Sequence, residues 1–192
     1  MRKLILQEFI SLDGYAADQQ GSTSFFEHLT GEAGREIDKD LLEFIHTIDT
    51  VLLGANTYNM FVDFWPRVTT REEIVADGVN LTPKIVFSKS LKSVHWGAYD
   101  PPQLVPGNAA EVVRKLKQQD GKDMVLWGSI SLARNLLREN LIDEIHLRVC
   151  PVLLGSGTPL FEENFASKEL ELQFTKQYTP GVVLLIYKIN NS

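Results

Sequence analysis

One cysteine, Cys150, is all the thiol chemistry this chain has. That excludes an internal disulfide and any cysteine-cluster metal site. It stands in HLRVCPVLL, which reads as a strand interior, so an inert buried thiol is expected there. Histidine is sparse as well: His28, His46, His95 and His146 are scattered. With no HExxH and no clustered His/Asp pattern, no metal site is expected. Basic charge is short, 19 Lys and Arg against 25 Asp and Glu for a net charge of −6. That balance argues against a general nucleic-acid partner and leaves room only for a local basic patch. No stretch approaches the roughly 20 apolar residues that cross a membrane. The opening MRKLILQEFI is broken by Gln7 and Glu8 too early for a signal peptide, so a cytoplasmic protein is expected. GxGxxG after the first strand, GxxxxGK[ST] and GxSxG are all missing.

What remains is an ordinary soluble composition, 44% apolar and 23% charged, in 192 residues that suit a single domain over 1–192. Residues 3–10 form an opening strand, followed by a turn at SLDG. Ile37, Leu41, Phe44, Ile45 and Ile48 recur at helical spacing over 34–48. A short buried strand follows at 50–53, a short helix at 56–62, one helical turn at 70–76, and a strand at 84–87. Asn108 and Glu111 make a capping box ahead of Val112, Val113 and Leu116. A strand at 123–127 then leads to a helix carrying Leu132, Leu136 and Leu137 on one face. Alternating strands are read at 143–150, 170–178 and 182–189, the last two joined by a Pro180-Gly181 turn. The middle is thus β-α-β-α and the end antiparallel, which argues for a mixed α/β sheet with helices on both faces.

Two seams share the form strand, glycine, helix: VLL-Gly54-Ala55-Asn56-Thr57 and VLW-Gly128-Ser129-Ile130-Ser131. Helix N-termini leave N–H groups that suit a phosphate, and glycine lets it approach the backbone. Thr57 and Ser129 can add hydroxyls. Each seam alone is equally an ordinary turn. Asp13, in ISLDGYAAD, reads as a turn former or as a polar anchor or proton source facing a ligand. Trp65-Pro66 is a rigid aromatic corner that suits either core packing or stacking on a flat ring. Ser88, Lys89 and Lys92 make a small basic edge after the 84–87 strand. The G-x-G of LLGSGTPLF reads as a loop.

Taken in order, ISLDGYAA (10–17), VLLGANTY (51–58), FW-P (64–66), PKIVFSKSL (83–91), VLWGSISLARNLL (125–137) and DEIHLRVCPVLLGSGTPLF (143–161) resemble the dihydrofolate-reductase-like family. The likeness is to the branch that includes the C-terminal reductase domain of bacterial riboflavin biosynthesis. It implies a three-layer α/β/α fold with a mostly parallel central sheet, an antiparallel C-terminal hairpin, and NADPH across the carboxyl ends of the central strands. Carried over, Gly54 and Thr57 flank the adenosine side, and Ser88 and Lys89 meet the adenine ribose and its 2′-phosphate. Gly128, Ser129, Ile130 and Ser131 surround the pyrophosphate. Leu12, Asp13 and Gly14 line the nicotinamide and substrate crevice, which Gly155 and Gly157 close from the other side, and Trp65 joins the substrate wall. Asp13 is the implied catalytic carboxylate. A homodimer is also implied, reached through the DEIHLRVCPVLL and VVLLIYKI strands.

Two residues depart from the family pattern. Ala55 stands where an arginine commonly holds the 2′-phosphate, which removes a bidentate cation. Ser129 replaces the second glycine of a Gly-Gly pair that supports an unusual peptide geometry. The acids of the first long helix, Glu36, Asp38, Asp40 and Glu43, read mostly as a solvated face. The expected activity is an NADPH-dependent hydride transfer to a small heterocyclic or ribosylaminopyrimidine-type substrate. A pterin reductase and a non-catalytic dinucleotide-binding protein are the alternatives.

Overall fold

The computed structural model describes residues 1–27, 29, 34–163, 165–179 and 181–190. His28 and Pro180, and with Pro180 the expected Pro-Gly turn, lie outside the described residues. In chain order the elements are β1 (Leu4–Ser11), β2 (Tyr15–Ala17), α1 (Ser24–Glu27), α2 (Arg35–Ile45), β3 (Ile48–Gly54) and α3 (Ala55–Phe64), which runs into a 3-10 turn at Trp65–Arg67. They continue with α4 (Ala76–Leu81), β4 (Lys84–Phe87), β5 (Gln103–Val105), α5 (Ala109–Lys117), β6 (Asp123–Trp127) and α6 (Ile130–Arg138). The chain closes with β7 (Glu144–Cys150), β8 (Thr158–Pro159), β9 (Leu170–Gln177) and β10 (Val183–Ile189).

Eight strands form one sheet in the order β5-β4-β3-β6-β1-β7-β10-β9. The pairings from β5 to β7 are all parallel, and β10 is antiparallel to both of its neighbours. β2 and β8 pair separately. Strand alternation divides the apolar residues between two faces. Leu4, Leu6, Leu52, Met124 and Leu126 pack with Val113, Leu136 and Leu137 of α5 and α6. Val51, Leu53, Val125 and Trp127 pack with Ile45 of α2, Tyr58 and Val62 of α3 and Val79 of α4. The three-layer fold is therefore present, with its antiparallel C-terminal hairpin.

Several boundaries differ from the sequence reading. Ile48 opens β3 and does not extend α2, which stops at Ile45. The helical turn expected at 70–76 is displaced to Ala76–Leu81. Gly78 sits there so close to Ile45 that a β-carbon would lie 2.9 Å from its Cγ2; tertiary contact holds a helix that local propensity does not favour. β7 and β10 are interior strands. The sheet edge on that side is β9, where Leu170, Leu172 and Phe174 are 43, 51 and 50% exposed. Asn108 caps α5 as expected, accepting from the Ala110 N–H at 3.0 Å and donating to Glu111 at 3.1 Å.

Candidate functional site

β1 changes its neighbours along its length. Its pairing with β6 ends at Gln7↔Trp127, whereas its pairing with β7 runs on to Ser11↔Cys150. The sheet consequently splits at its carboxyl edge between residues 8–11 and the start of α6. The Trp127 indole N–H donates to Gln7 Oε1 at 2.7 Å and closes the foot of the split.

Both glycine seams reach this edge and are stitched together. Ser129 Oγ accepts from the Gly54 N–H at 2.7 Å and donates to the Trp127 carbonyl at 3.1 Å. Thr57 Oγ1 accepts from the Ser129 N–H at 2.9 Å. Gly128 and Ser129 are both left-handed, with φ of 54° and 59°. The unusual peptide geometry that a Gly-Gly pair supports is not what stands here: the peptide bonds are trans throughout the described residues, and the left-handed backbone of Gly128 and Ser129 makes the turn. A serine in that region costs about 1–2 kcal/mol, offset by its three hydrogen bonds. A β-carbon on Gly128 would lie 3.0 Å from Thr57 Oγ1, so glycine there keeps the seams in contact. The hydroxyls expected to face a phosphate are in this way used mainly to join the two helix starts. Ser129→Ala is expected to cost about 1–2 kcal/mol, because the half-buried Gly54 N–H loses its acceptor; the urea midpoint of the variant measures it.

Neither α3 nor α6 has a side-chain cap at its N-terminus. Ser131 is exposed in the first turn of α6, and Ile130 is half-buried beside it. Ser88 turns its hydroxyl into its own loop, accepting from the N–H groups of Ser90 and Leu91 at 3.2 and 3.1 Å. Lys89 is exposed just past Phe87, which pairs with Gly54. Ala55, at the first position of α3, leaves Lys89 as the cation next to that seam.

On the other side of the split, Asp13 binds loop to loop. Its carboxylate accepts from Ser11 Oγ at 2.6 Å, from the Leu154 N–H at 3.1 Å and from the Gly155 N–H at 2.7 Å. The Ser11 hydrogen bond, with those backbone donors, holds the carboxyl below the usual carboxylate range. Three donors on an ionised, exposed group make a clasp, which suits positioning better than proton donation. Leu12 is 66% exposed beside it, and Gly14 donates its N–H to the Ser11 carbonyl in a tight turn. The clasp and the β2–β8 pairing fasten the 12–17 segment to the 154–159 loop. Trp65 stands apart from these groups at the far end of α3, edge-on to Phe61 and Phe64. Phe61 in turn meets Trp127, so Trp65 belongs to an aromatic wall of the core.

Four charged residues here carry more than the sequence reading gave them. Glu8 lies on the α6 face with Oε2 shut from solvent and without a partner, and burial pushes its carboxyl up to about 8. Arg148 of β7 is 2% exposed on the opposite face, its guanidinium 5.4 Å from the Phe9 ring. Asp38 of α2 turns inward toward Arg148, and burial raises its pKa. Asp40 also turns inward, accepting from Lys176 and from the Tyr178 hydroxyl at 2.8 Å. The expected solvated face holds for Glu36 and Glu43 only. Cys150 is buried, and burial pushes its thiol up to about 12, as befits an inert packing residue.

The sheet order and the stitched seams define a dihydrofolate-reductase-like α/β/α protein. Within that class the chain belongs to the RibD C-terminal domain family, whose model matches residues 2–184. It is 31% identical over 188 residues to YwjB of Bacillus subtilis (strain 168), an uncharacterized protein, covering 95% of this chain and 96% of that one. Its fold matches a putative riboflavin biosynthesis protein from Shewanella sp. PV-4 with a TM-score of 0.79 at 24% identity, over 98% and 99% of the two chains. A pyrimidine reductase-like protein from Corynebacterium diphtheriae matches with a TM-score of 0.72 at 16% identity, over 100% and 93%.

Proposed function

We propose that the protein is an NADPH-dependent reductase acting on a small heterocycle of the ribosylaminopyrimidine kind, as a 5-amino-6-(5-phosphoribosylamino)uracil reductase does. The observation that carries this reading is the stitched pair of uncapped helix N-termini at the split in the sheet. Open α/β sheets bind ligands at that edge, and two helix starts there suit a pyrophosphate. The residues fit the cofactor: the first-turn amides of α3 and α6 hold the diphosphate, Gly128 keeps the backbone bare, and Lys89 meets the 2′-phosphate in place of the arginine absent at Ala55. When bound, the cofactor supplies the hydride. The chain's own part is to orient the ring in the split, to close the 154–159 loop through Asp13, and to exclude water. The half-buried acid Asp38 favours a pterin as the second substrate class. The implied homodimer belongs to the same proposal, with exposed β9 as the surface for a second copy.

Titration of cofactor-stripped protein with NADPH and then NADH, followed by tryptophan quenching and calorimetry, tests the reading. Micromolar NADPH affinity is expected, at least tenfold tighter than NADH and lowered by Lys89→Ala. Binding of neither dinucleotide would end the proposal.

A further inference from the structure

Among the described residues, buried side-chain nitrogen and oxygen atoms without a hydrogen-bond partner occur only on Glu8 (Oε2) and Arg148 (Nε and Nη1). Glu8 is on β1 where that strand runs on past β6, and Arg148 is on the next strand, β7, paired with Phe9. A carboxyl can shed its charge when buried, but a guanidinium cannot. Arg148 is therefore a buried cation, and a buried charge is costly unless paired.

Its neighbours answer it only in part: the Tyr178 hydroxyl and the charges of Asp40 and Asp38 favour the guanidinium, but Nε and Nη1 keep no hydrogen-bond partner. Asp40 is spent on Lys176, at 3.0 and 2.8 Å, and on Tyr178. Asp38 acts on Arg148 through space without a hydrogen bond to it. Flat apolar surface supplies the rest of the surroundings: Phe9 lies under the guanidinium and stacks on Phe26 at 4.6 Å with planes 22° apart. A cation with unused donors, a carboxyl beside it and an aromatic platform together match one kind of ligand edge. An oxo group accepts from the guanidinium, and the ring N–H next to it donates to the carboxyl. A phosphate fits less well, because Asp38 and Asp40 would both face its charge.

We propose that Arg148, with Asp38, binds the lactam edge (C=O next to N–H) of a flat heterocyclic substrate laid against Phe9. The assignment of that ligand as substrate rests on the reductase reading above. It also explains why two nitrogens of a buried guanidinium are left without a hydrogen-bond partner: these donors are held for the ligand, which takes the place of Phe26 on the Phe9 ring.

The test uses the full chain with NADPH present and two probes of one shape, 5,6-diaminouracil and the oxo-free 4,5,6-triaminopyrimidine. Wild type is expected to bind diaminouracil at least tenfold more tightly. Arg148→Met is expected to lose that preference, to keep its NADPH affinity, and to melt about 5 °C higher, since a buried charge with two unsatisfied nitrogens has been replaced by apolar volume. Arg148→Lys keeps a cation without the guanidinium fork and is expected to lose most of the preference while folding normally. Equal binding of the two probes by wild type, or an unchanged preference in Arg148→Met and Arg148→Lys, overturns the assignment. A fall in melting temperature in Arg148→Met, with the preference intact in Arg148→Lys, makes Arg148 a scaffold residue and overturns it too. If diaminouracil discriminates the variants but NADPH does not bind, the lactam site stands and the reductase reading falls. If NADPH binds and neither probe does, the reverse holds.

Discussion

Between about pH 5 and pH 9 the protein is expected to lose about 3 kcal/mol of stability through one side chain, Glu8. Burial raises its carboxyl from 4.5 to about 8, with only the Phe9 N–H, at 3.2 Å, favouring the charged form. Over that interval the folded chain holds a proton that the unfolded chain has already released. Stability from this group is therefore complete below pH 4.5 and drains away as pH rises through about 8. At about 1.4 kcal/mol for each tenfold of proton affinity the ceiling is ~5 kcal/mol. Part of the side chain still meets solvent, which brings the expectation to about 3 kcal/mol. Urea unfolding of wild type and Glu8→Gln at pH 5, 7 and 9 measures it. The amide cannot ionise, so the variant is expected to lack this slope and to be the more stable of the two at pH 9. Parallel stability curves would show that Glu8 is already charged and hydrated in the folded protein.

Glu8 was hard to see in the sequence for a physical reason that applies to most of the site. In LILQEFIS it shares its strand face with Leu6 and Ile10, and in HLRVC Arg148 shares one with His146 and Cys150. A charged residue at an inward position of a buried strand was a usable signal, because alternation assigns its face. Read one residue at a time, each looked like the polar interruption that any strand tolerates. Asp38 and Asp40 misled in a similar way: helical spacing separated them from the apolar stripe, but the partners that draw them inward, Arg148, Lys176 and Tyr178, come from β7 and the C-terminal hairpin. The seams were legible because glycine and hydroxyls stand at strand ends. Their stitching was not, since Gly54 and Thr57 meet Ser129 across more than 70 residues of chain.

The same distinction governs the fold. β4 and β6 were read at their true limits because KIVF and DMVLW are short apolar runs bounded by polar or turn residues. β5 leaves no such mark: it is three residues in PPQLVP, at the edge of the sheet, where one neighbouring strand is enough to hold it. β2 and β8 exist because Asp13 and the Leu160 N–H on the Gly14 carbonyl, at 2.9 Å, bring two loops together. Such pairings are products of tertiary contact and leave no periodicity to read.

Those two loops hold the largest local effect expected from a single methyl group. Gly155 and Gly157 look alike in LLGSGTPLF, and both have positive φ, 72° and 144°. Their surroundings differ. A β-carbon on Gly155 meets nothing within 4 Å, whereas one on Gly157 would lie 2.1 Å from the Ala17 carbonyl oxygen and 3.0 Å from the Asp18 backbone. Gly155→Ala therefore carries only the conformational cost, about 1 kcal/mol. Gly157→Ala adds a collision with backbone that no rotamer relieves, and about 3 kcal/mol is expected. The backbone can escape only by separating β2 from β8, so hydrogen exchange at the Leu160 N–H should rise sharply in Gly157→Ala and little in Gly155→Ala. Because Asp13 fastens the same two segments, Gly157→Ala should also release the Leu154 and Gly155 N–H groups to exchange. Equal protection in both variants would mean that the loops are held by the Asp13 clasp alone and that β2–β8 adds nothing to holding them together.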